Sequence, residues 1–281
     1  IQAADTNAVG VTIIREVKRA GERRAAEILE NHRLEFAQDG NVVRVKARPA
    51  KANLGSWWSG NLSVRCRVTV PREWNLDVDT AGGSIEVPAL KGMVEADTAG
   101  GSIRLGEIDG SVKANTAGGN ITVAGATGPA SVGTAGGSIK LGVMGGPVTA
   151  ETSGGSIRIQ SAAGPVHADT SGGSIELGDM AGPVQAETSG GSITARFPKS
   201  STGDVQLETS GGSISVYLGD DAGYQLDAEC SGGRVSTDLP VTTQGKLDRS
   251  ELHGQIGQGG PKLVLRTSGG GIALKKWVAA R

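Results

Sequence analysis

The residues able to do chemistry are few, and their spacing argues against most chemistries. The three histidines, His32, His167 and His253, are scattered through 281 residues, and no two stand at metal-ligand spacing. No metal and no cofactor is expected. Glycine is abundant, with 46 residues, and much of it falls in Gly-Gly-Ser-Ile stretches. These are not phosphate loops, because no Lys follows and no helix pattern begins. They are not calcium-binding nonapeptides either, which carry an Asp after Gly-x-Gly-x. Acidic residues recur at Asp79, Asp97, Glu151, Asp169, Glu187, Glu208 and Glu229. Glycoside hydrolysis needs a local pair of carboxylates. Here the acids form one long series, and no aromatic residue occurs between Trp74 and Phe197 to act as a sugar platform. No enzyme is expected. One stretch has the composition of a contact site: Trp57-Trp58 in a Gly/Ser-containing loop, with Arg48, Lys51, Arg65 and Arg67 nearby. Exposed Trp beside Arg is common at binding hot spots.

A repeat positions these residues. Thr-Ala/Ser-Gly-Gly-Ser-Ile, with Asn120 for Ser once, begins at Thr80, Thr98, Thr116, Thr134, Thr152, Thr170 and Thr188, always 18 residues apart. It returns at Thr209 and Cys230 after steps of 21 and at Thr267 after a step of 37. The paired glycines are Gly82-Gly83, Gly100-Gly101, Gly118-Gly119, Gly136-Gly137, Gly154-Gly155, Gly172-Gly173, Gly190-Gly191, Gly211-Gly212, Gly232-Gly233 and Gly269-Gly270. Within one unit Val94, Ala96 and Thr98 alternate, and so do Ile103 and Leu105, as strands buried on one side do. No helix fits between them. The economical fold is a parallel β-solenoid with one unit per coil. The hexapeptide helix is a poorer fit, because positions 100 and 106 are Gly where it needs apolar residues. The glycine pairs are expected to make the corners, where φ > 0 is cheap for Gly alone. The Thr column falls on the inward parity at the corner, so its hydroxyls are expected to bond the next coil or the corner backbone. An inward Thr column also argues against ice binding. Pro129, Pro147, Pro165 and Pro183 fall at strand starts, where a missing N–H is tolerated.

The expected fold class is therefore all-β: about ten coils of 18–21 residues, two strands each, behind a small N-terminal strand–helix–strand cap. Residues 1–75 form the cap and lead-in strands, with a short helix over 20–32. Residues 76–281 form the solenoid, interrupted by a polar loop at about 240–262. Cys66 and Cys230 fall on inward parity, roughly 40 Å apart at the ~4.8 Å coil spacing. That is beyond the ~7 Å reach of a disulfide, so two buried thiols are expected. The acids share an outward position, broken at Asn115 and Gly133. A solvated face that opposes aggregation is the plain explanation for them, and cation or basic-partner binding the sharper one.

Charge is split along the chain. Residues 1–67 carry twelve Lys/Arg against seven Asp/Glu, and the remainder sixteen against twenty-two. The net charge of −1 gives no reason to expect nucleic acid. No apolar run approaches the ~18 residues of a membrane span. The chain begins at Ile1 rather than Met, as a trimmed form would, with room for a leader or anchor upstream.

The strand–helix–strand lead-in ending in Val68-Thr-Val-Pro71, the run of Gly-Gly-Ser-Ile corners and the late His253-Gly-Gln-Ile-Gly-Gln-Gly-Gly-Pro261 together resemble the toast-rack, or adhesin-like, β-repeat family of bacterial envelope proteins. The resemblance covers nearly the whole chain. It implies a β-solenoid and an extracytoplasmic setting, periplasmic or at the cell surface and often membrane-tethered. It implies no enzyme activity and no residue-level site. Adhesion and the sensing of envelope stress are the roles it brings. The expected function is a noncatalytic envelope protein that binds or displays, with a rigid spacer as the alternative. If a partner binds, the basic Trp57-Trp58 loop is the expected contact, and an anionic envelope polymer or an acidic protein would suit its charge. The competing expectation is that both rings plug the open end of the first coil.

Overall fold

The computed structural model describes residues 1–18, 20–49, 62–199, 202–243 and 248–277. The chain divides into two compact units, Ile1–Arg72 and Glu73–Arg281.

The second unit is the predicted solenoid. Each repeat supplies a strand ending at the corner threonine, such as Val94–Thr98, and a strand opening on isoleucine, such as Ile103–Asp109. The first kind stacks into one parallel sheet, here the threonine sheet, and the second into another, the isoleucine sheet. Registers are strict: Val94, Ala96 and Thr98 pair with Val112, Ala114 and Thr116, and Ile103 and Leu105 with Ile121 and Val123. Alternate residues point inward and are almost wholly buried, Val94, Ala96, Ile103 and Leu105 among them. Each buried Val, Leu or Ile is worth roughly 1.5–3 kcal/mol of transfer free energy, and the repeat multiplies that gain. One inward column alternates in size: Ile108, Ala126, Met144, Ala162 and Met180 are stacked neighbours and all buried. Large and small side chains interleave there, which keeps the interior at crystal-like density.

The corners hold the stack together. The Thr116 hydroxyl donates to the Gly101 carbonyl of the coil before, at 2.8 Å, and accepts from the Gly119 amide of its own corner, at 3.2 Å. The same pair of bonds recurs at Thr98, Thr134, Thr152, Thr170, Thr188, Thr209 and Thr267. Each threonine meets two buried or half-buried backbone groups that would otherwise be unpaired. A second ladder runs beside it. The Ser102 amide donates to the Ser84 hydroxyl, and each following corner amide to the residue one coil earlier. Asn120 keeps that ladder intact because its Oδ1 accepts from the Ser138 amide.

The reason for the glycines differs from the expectation. Among the described residues, left-handed φ occurs at Gly40, Gly92, Gly257, Gly259 and Gly260, and at none of the corner pairs. What the second corner glycine provides is closeness. A Cβ on Gly101 would overlap the Gly83 carbonyl, and Gly119, Gly137, Gly155, Gly173, Gly191 and Gly212 repeat the clash one coil at a time. The first glycine is looser. A Cβ would stand 3.8 Å from its nearest neighbour at Gly100, 3.3 Å at Gly154 and 2.8 Å at Gly269. At the opposite corner Pro129, Pro147, Pro165 and Pro183 each precede a strand, and their carbonyls accept from the coil before, as from the Val112 amide to Pro129. Gly110, Gly128, Gly146, Gly164 and Gly182 crowd one another at this corner too.

Eight coils, from the Thr80 corner to the Thr209 corner, stack in chain order. The last two do not. Strands Lys262–Thr267 and Ile272–Lys276 lie directly on the Thr209 coil. Strands Tyr224–Cys230 and Val235–Thr237, although earlier in the chain, stack outside them. The tenth corner in sequence is thus the ninth in space. The connection at 240–262, expected as a loop, contains two strands. Glu251–Ile256 pairs antiparallel with Tyr224–Cys230, and Val241–Thr242 pairs antiparallel with Glu251–Ile256. Leu252 and Ile256 supply its buried alternation. This hairpin covers the end of the threonine sheet, where an open edge would invite pairing with another chain.

In the first unit Leu62–Pro71 is central, with Gln2–Ala4 parallel on one side and Gly10–Val17 antiparallel on the other. Helix Glu22–Asn31 follows, and Arg15 Nη1 donates to the carbonyls of Leu29 and His32 at its C-terminal end, both at 3.0 Å. His32–Asp39 and Val42–Pro49 form a hairpin that turns at Gly40. Among the described residues this unit buries only Ile28 and Val70 as apolar core. The expected burial of Cys66 fails here: Cys66 is exposed, whereas Cys230 is buried. Parity put Cys66 beside Ile13 on one side of the sheet, but burial needs a covering layer as well as a side.

Candidate functional site

Of the residues picked out around the Trp-Trp loop, Lys51, Trp57 and Trp58 lie outside the described residues. Arg48 lies on Val42–Pro49, paired with Arg33. Arg65 and Arg67 are both exposed, two residues apart on Leu62–Pro71, and pair with Ile14 and Thr12. They share one face of the three-stranded sheet with the exposed Ile14.

The acidic column is present but is not continuous. Asp79, Asp97, Asn115, Gly133, Glu151, Asp169, Glu187 and Glu208 are register neighbours. Asn115 Nδ2 donates to Asp97 Oδ1 at 2.9 Å, which gives that carboxylate a donor beside its like-charged neighbour Asp79. Because the last coils exchange order, Arg266 sits between Glu208 and Glu229. Its guanidinium meets Asp227 Oδ2 at 2.7 Å and Glu229 Oε1 at 2.8 Å. Burial works against the Arg266 charge, but the bonds to Asp227 and the charges of Asp227 and Glu229 outweigh it and raise its pKa. His253, expected in a loop, is on Glu251–Ile256 with Nδ1 2.9 Å from Asp227 Oδ1. Asp227, Glu229 and His253 offer ligand atoms within 4.8 Å of one another. Arg266 already takes up two of those carboxylates, so the cluster is a closed ion-pair network rather than an open ligand set. Sequence spacing could not find it, because the partners come from three strands brought together by the exchange.

The isoleucine sheet carries a second feature on its outer face. A trough of ≈ 500 Å3 is lined by Glu176, Leu177, Thr194, Arg196, Tyr217, Lys276 and Trp277. It crosses strands Ile175–Met180, Ile193–Phe197, Ile214–Leu218 and Ile272–Lys276. Phe197 and Tyr224 point the other way, buried edge-to-face with ring centres 6.1 Å apart. Aromatic rings and cations therefore meet on the outer surface of the late coils. The sequence did hold a signal for this: aromatic residues return at Phe197 after a gap of more than a hundred residues.

No described helix is long and apolar enough to cross a membrane. No match to a curated protein or to a solved structure was found. A family model described as Toastrack DUF4097 matches residues 5–275, and this repeat fold is not a known enzyme fold. With its corners, the lead-in strands Gly10–Val17 and Leu62–Pro71 and the late hairpin inside that match, the chain belongs to the Toastrack DUF4097 family.

Proposed function

We propose that this chain is a noncatalytic binding module of the bacterial cell envelope, with an adhesin-like or ligand-sensing role and the solenoid as its rigid scaffold. The observation that carries this reading is the placement of surface chemistry. The coils from Thr98 to Thr170 are uniform and carry no aromatic residue, whereas outward rings and cations come together on the late coils. A scaffold needs the repeat alone, whereas recognition needs a local departure from it. The basic face of Arg65 and Arg67 is a second surface suited to an anionic partner. The strict register of the early coils favours the alternative, a spacer that holds another domain away from a surface. Incubating the purified chain with fractionated envelope glycans, lipids and proteins separates the two. Retention of one fraction, without release of new reducing ends, supports the binding module. Recovery of the chain unbound from every fraction supports the spacer.

A further inference from the structure

We propose that the trough on the isoleucine sheet binds an acidic oligosaccharide, a short run of carboxylate-bearing sugars laid along the solenoid axis. The proposal rests on the binding-module reading and gives that module its ligand class. Arg196, Tyr217 and Lys275 are lateral neighbours on adjacent strands, all facing outward. The Lys275 ammonium stands 5.5 Å from the Tyr217 ring centre, within cation–π range. Cation, ring and cation thus form one row. Trp277 closes the far end, pinned by its backbone amide, which donates to the Leu218 carbonyl at 2.7 Å. Glu176 and Thr194 stand at the opposite end with hydroxyl-directed hydrogen-bonding groups.

Charge favours an anion. Residues 68–281 carry sixteen Lys/Arg against twenty-two Asp/Glu, yet Arg196, Lys275 and Lys276 gather here around one lining carboxylate, Glu176. Their present partners lie at the rim and are solvent-exposed: Asp179 at 3.5 Å from Arg196 and Asp220 at 2.9 Å from Lys276. Pairs of that kind contribute little and leave most of the guanidinium and ammonium donors available. Length fits as well. Four strands span three inter-strand spacings, about 14 Å, room for a few sugar rings. A sugar fits better than a peptide for a structural reason. Strands Ile175–Met180, Ile193–Phe197 and Ile214–Leu218 lie inside the sheet, paired on both sides, and Ile272–Lys276 is covered on its outer side as far as Leu274, so little free edge is left for strand addition. Recognition there must use side chains, and flat rings beside cations suit the apolar faces and carboxylates of uronic acids.

Calorimetric titration of the whole chain with a galacturonic acid tetramer, the neutral galactose tetramer and hexaglutamate tests this. The acidic tetramer is expected to bind, and the neutral one to bind at least about tenfold more weakly. Arg196→Gln and Trp277→Ala should each weaken the acidic tetramer by a similar factor. Arg104→Gln, an outward cation on the same sheet outside the trough, should change nothing. Arg196 is exposed, so its variant remains informative even if Trp277→Ala loosens the last coil. No binding of the acidic tetramer, unchanged binding in Arg196→Gln, or equal binding of hexaglutamate would each overturn the proposal. The envelope-retention experiment keeps the two readings apart. Retention that survives the double variant Arg196→Gln/Trp277→Ala removes this site but keeps the binding module, whereas absence of retention by the unaltered chain removes the module itself.

Discussion

The coils from Thr98 to Thr188 and the coils beyond Thr209 use the same corner yet are assembled on different terms. In the early stack strand partners are 18 residues apart and the threonine hydroxyl bonds 15 apart, so each coil is secured as soon as the next one forms. At the late end Thr267 donates to Gly212, 55 residues earlier, and Arg266 reaches Asp227, 39 residues earlier. The corner bonds match in length, but the loops closed to make them are far longer. Loop-closure entropy rises with length, and here it is offset by the buried Leu263, Leu265, Ile272 and Leu274. A repeat thus specifies which residues meet at a corner without specifying which coil is the neighbour.

The most severe test removes residues 262–281. That strips out four buried aliphatic side chains, worth roughly 1.5–3 kcal/mol each, and takes away the seat of the Cys230 coil. Hydrogen exchange is expected to show the amides of 224–237 unprotected while those of 94–197 keep full protection. Protection of 224–237 in the shortened chain would mean that the Cys230 coil reseats directly on the Thr209 coil, and the contrast between the two regions would collapse.

Glycine substitutions come next. Gly155→Ala is expected to cost about 3 kcal/mol or more, because its Cβ would overlap the Gly137 carbonyl and the coils would have to part. Gly155→Val should be worse. Gly100→Ala, with 3.8 Å of clearance, should cost under about 1 kcal/mol. Arg158→Gln, on the outer face with only an exposed pair to Glu176, should stay within about 0.5 kcal/mol. Chemical denaturation measures all four, and equal losses at Gly100 and Gly155 would refute the close-approach account.

Thr170→Val removes two bonds at one corner and leaves the Gly155 carbonyl and the Gly173 amide unmet. A loss of about 1–3 kcal/mol is expected. Cys230→Thr reverses the change at the terminal coil and should be neutral or stabilising by up to about 1 kcal/mol. A destabilising Cys230→Thr would show that the outer corner does not share the geometry of the inner ones. Arg266→Gln is the mildest change. Its partners are partly exposed, so about 1 kcal/mol is expected, shrinking as salt is raised.

What was legible in the sequence was whatever the period encoded. The inward columns, the Thr hydroxyl bonds and the Pro positions follow from residues 18 apart on strands of known alternation. The corner glycines were located correctly but explained wrongly, because turn chemistry is a local rule and the crowding comes from the coil below. Three features lay beyond reach. The coil exchange leaves no local mark, since Thr267-Ser-Gly-Gly reads like any other corner; the step of 37 and the Arg266 in an acidic column were its faint traces. Cys66 shows that alternation gives a side and not a cover. Among the candidate sites, the trough comes from four strands, and no single stretch carries its pattern.

The exchanged coil also bears on how the chain is made. Synthesis at about 5–20 residues per second puts roughly two to seven seconds between the Cys230 corner and the Thr267 corner. During that interval the earlier segment has one template on offer, the exposed flank of the Thr209 coil, and that is the place owed to a segment still to come. The nascent end must stay unsettled through the delay or be displaced afterwards. Occupancy of that place is therefore decided by timing as much as by affinity, and a translational pause between residues 237 and 262 is the point at which this solenoid is most exposed to closing with a coil left out.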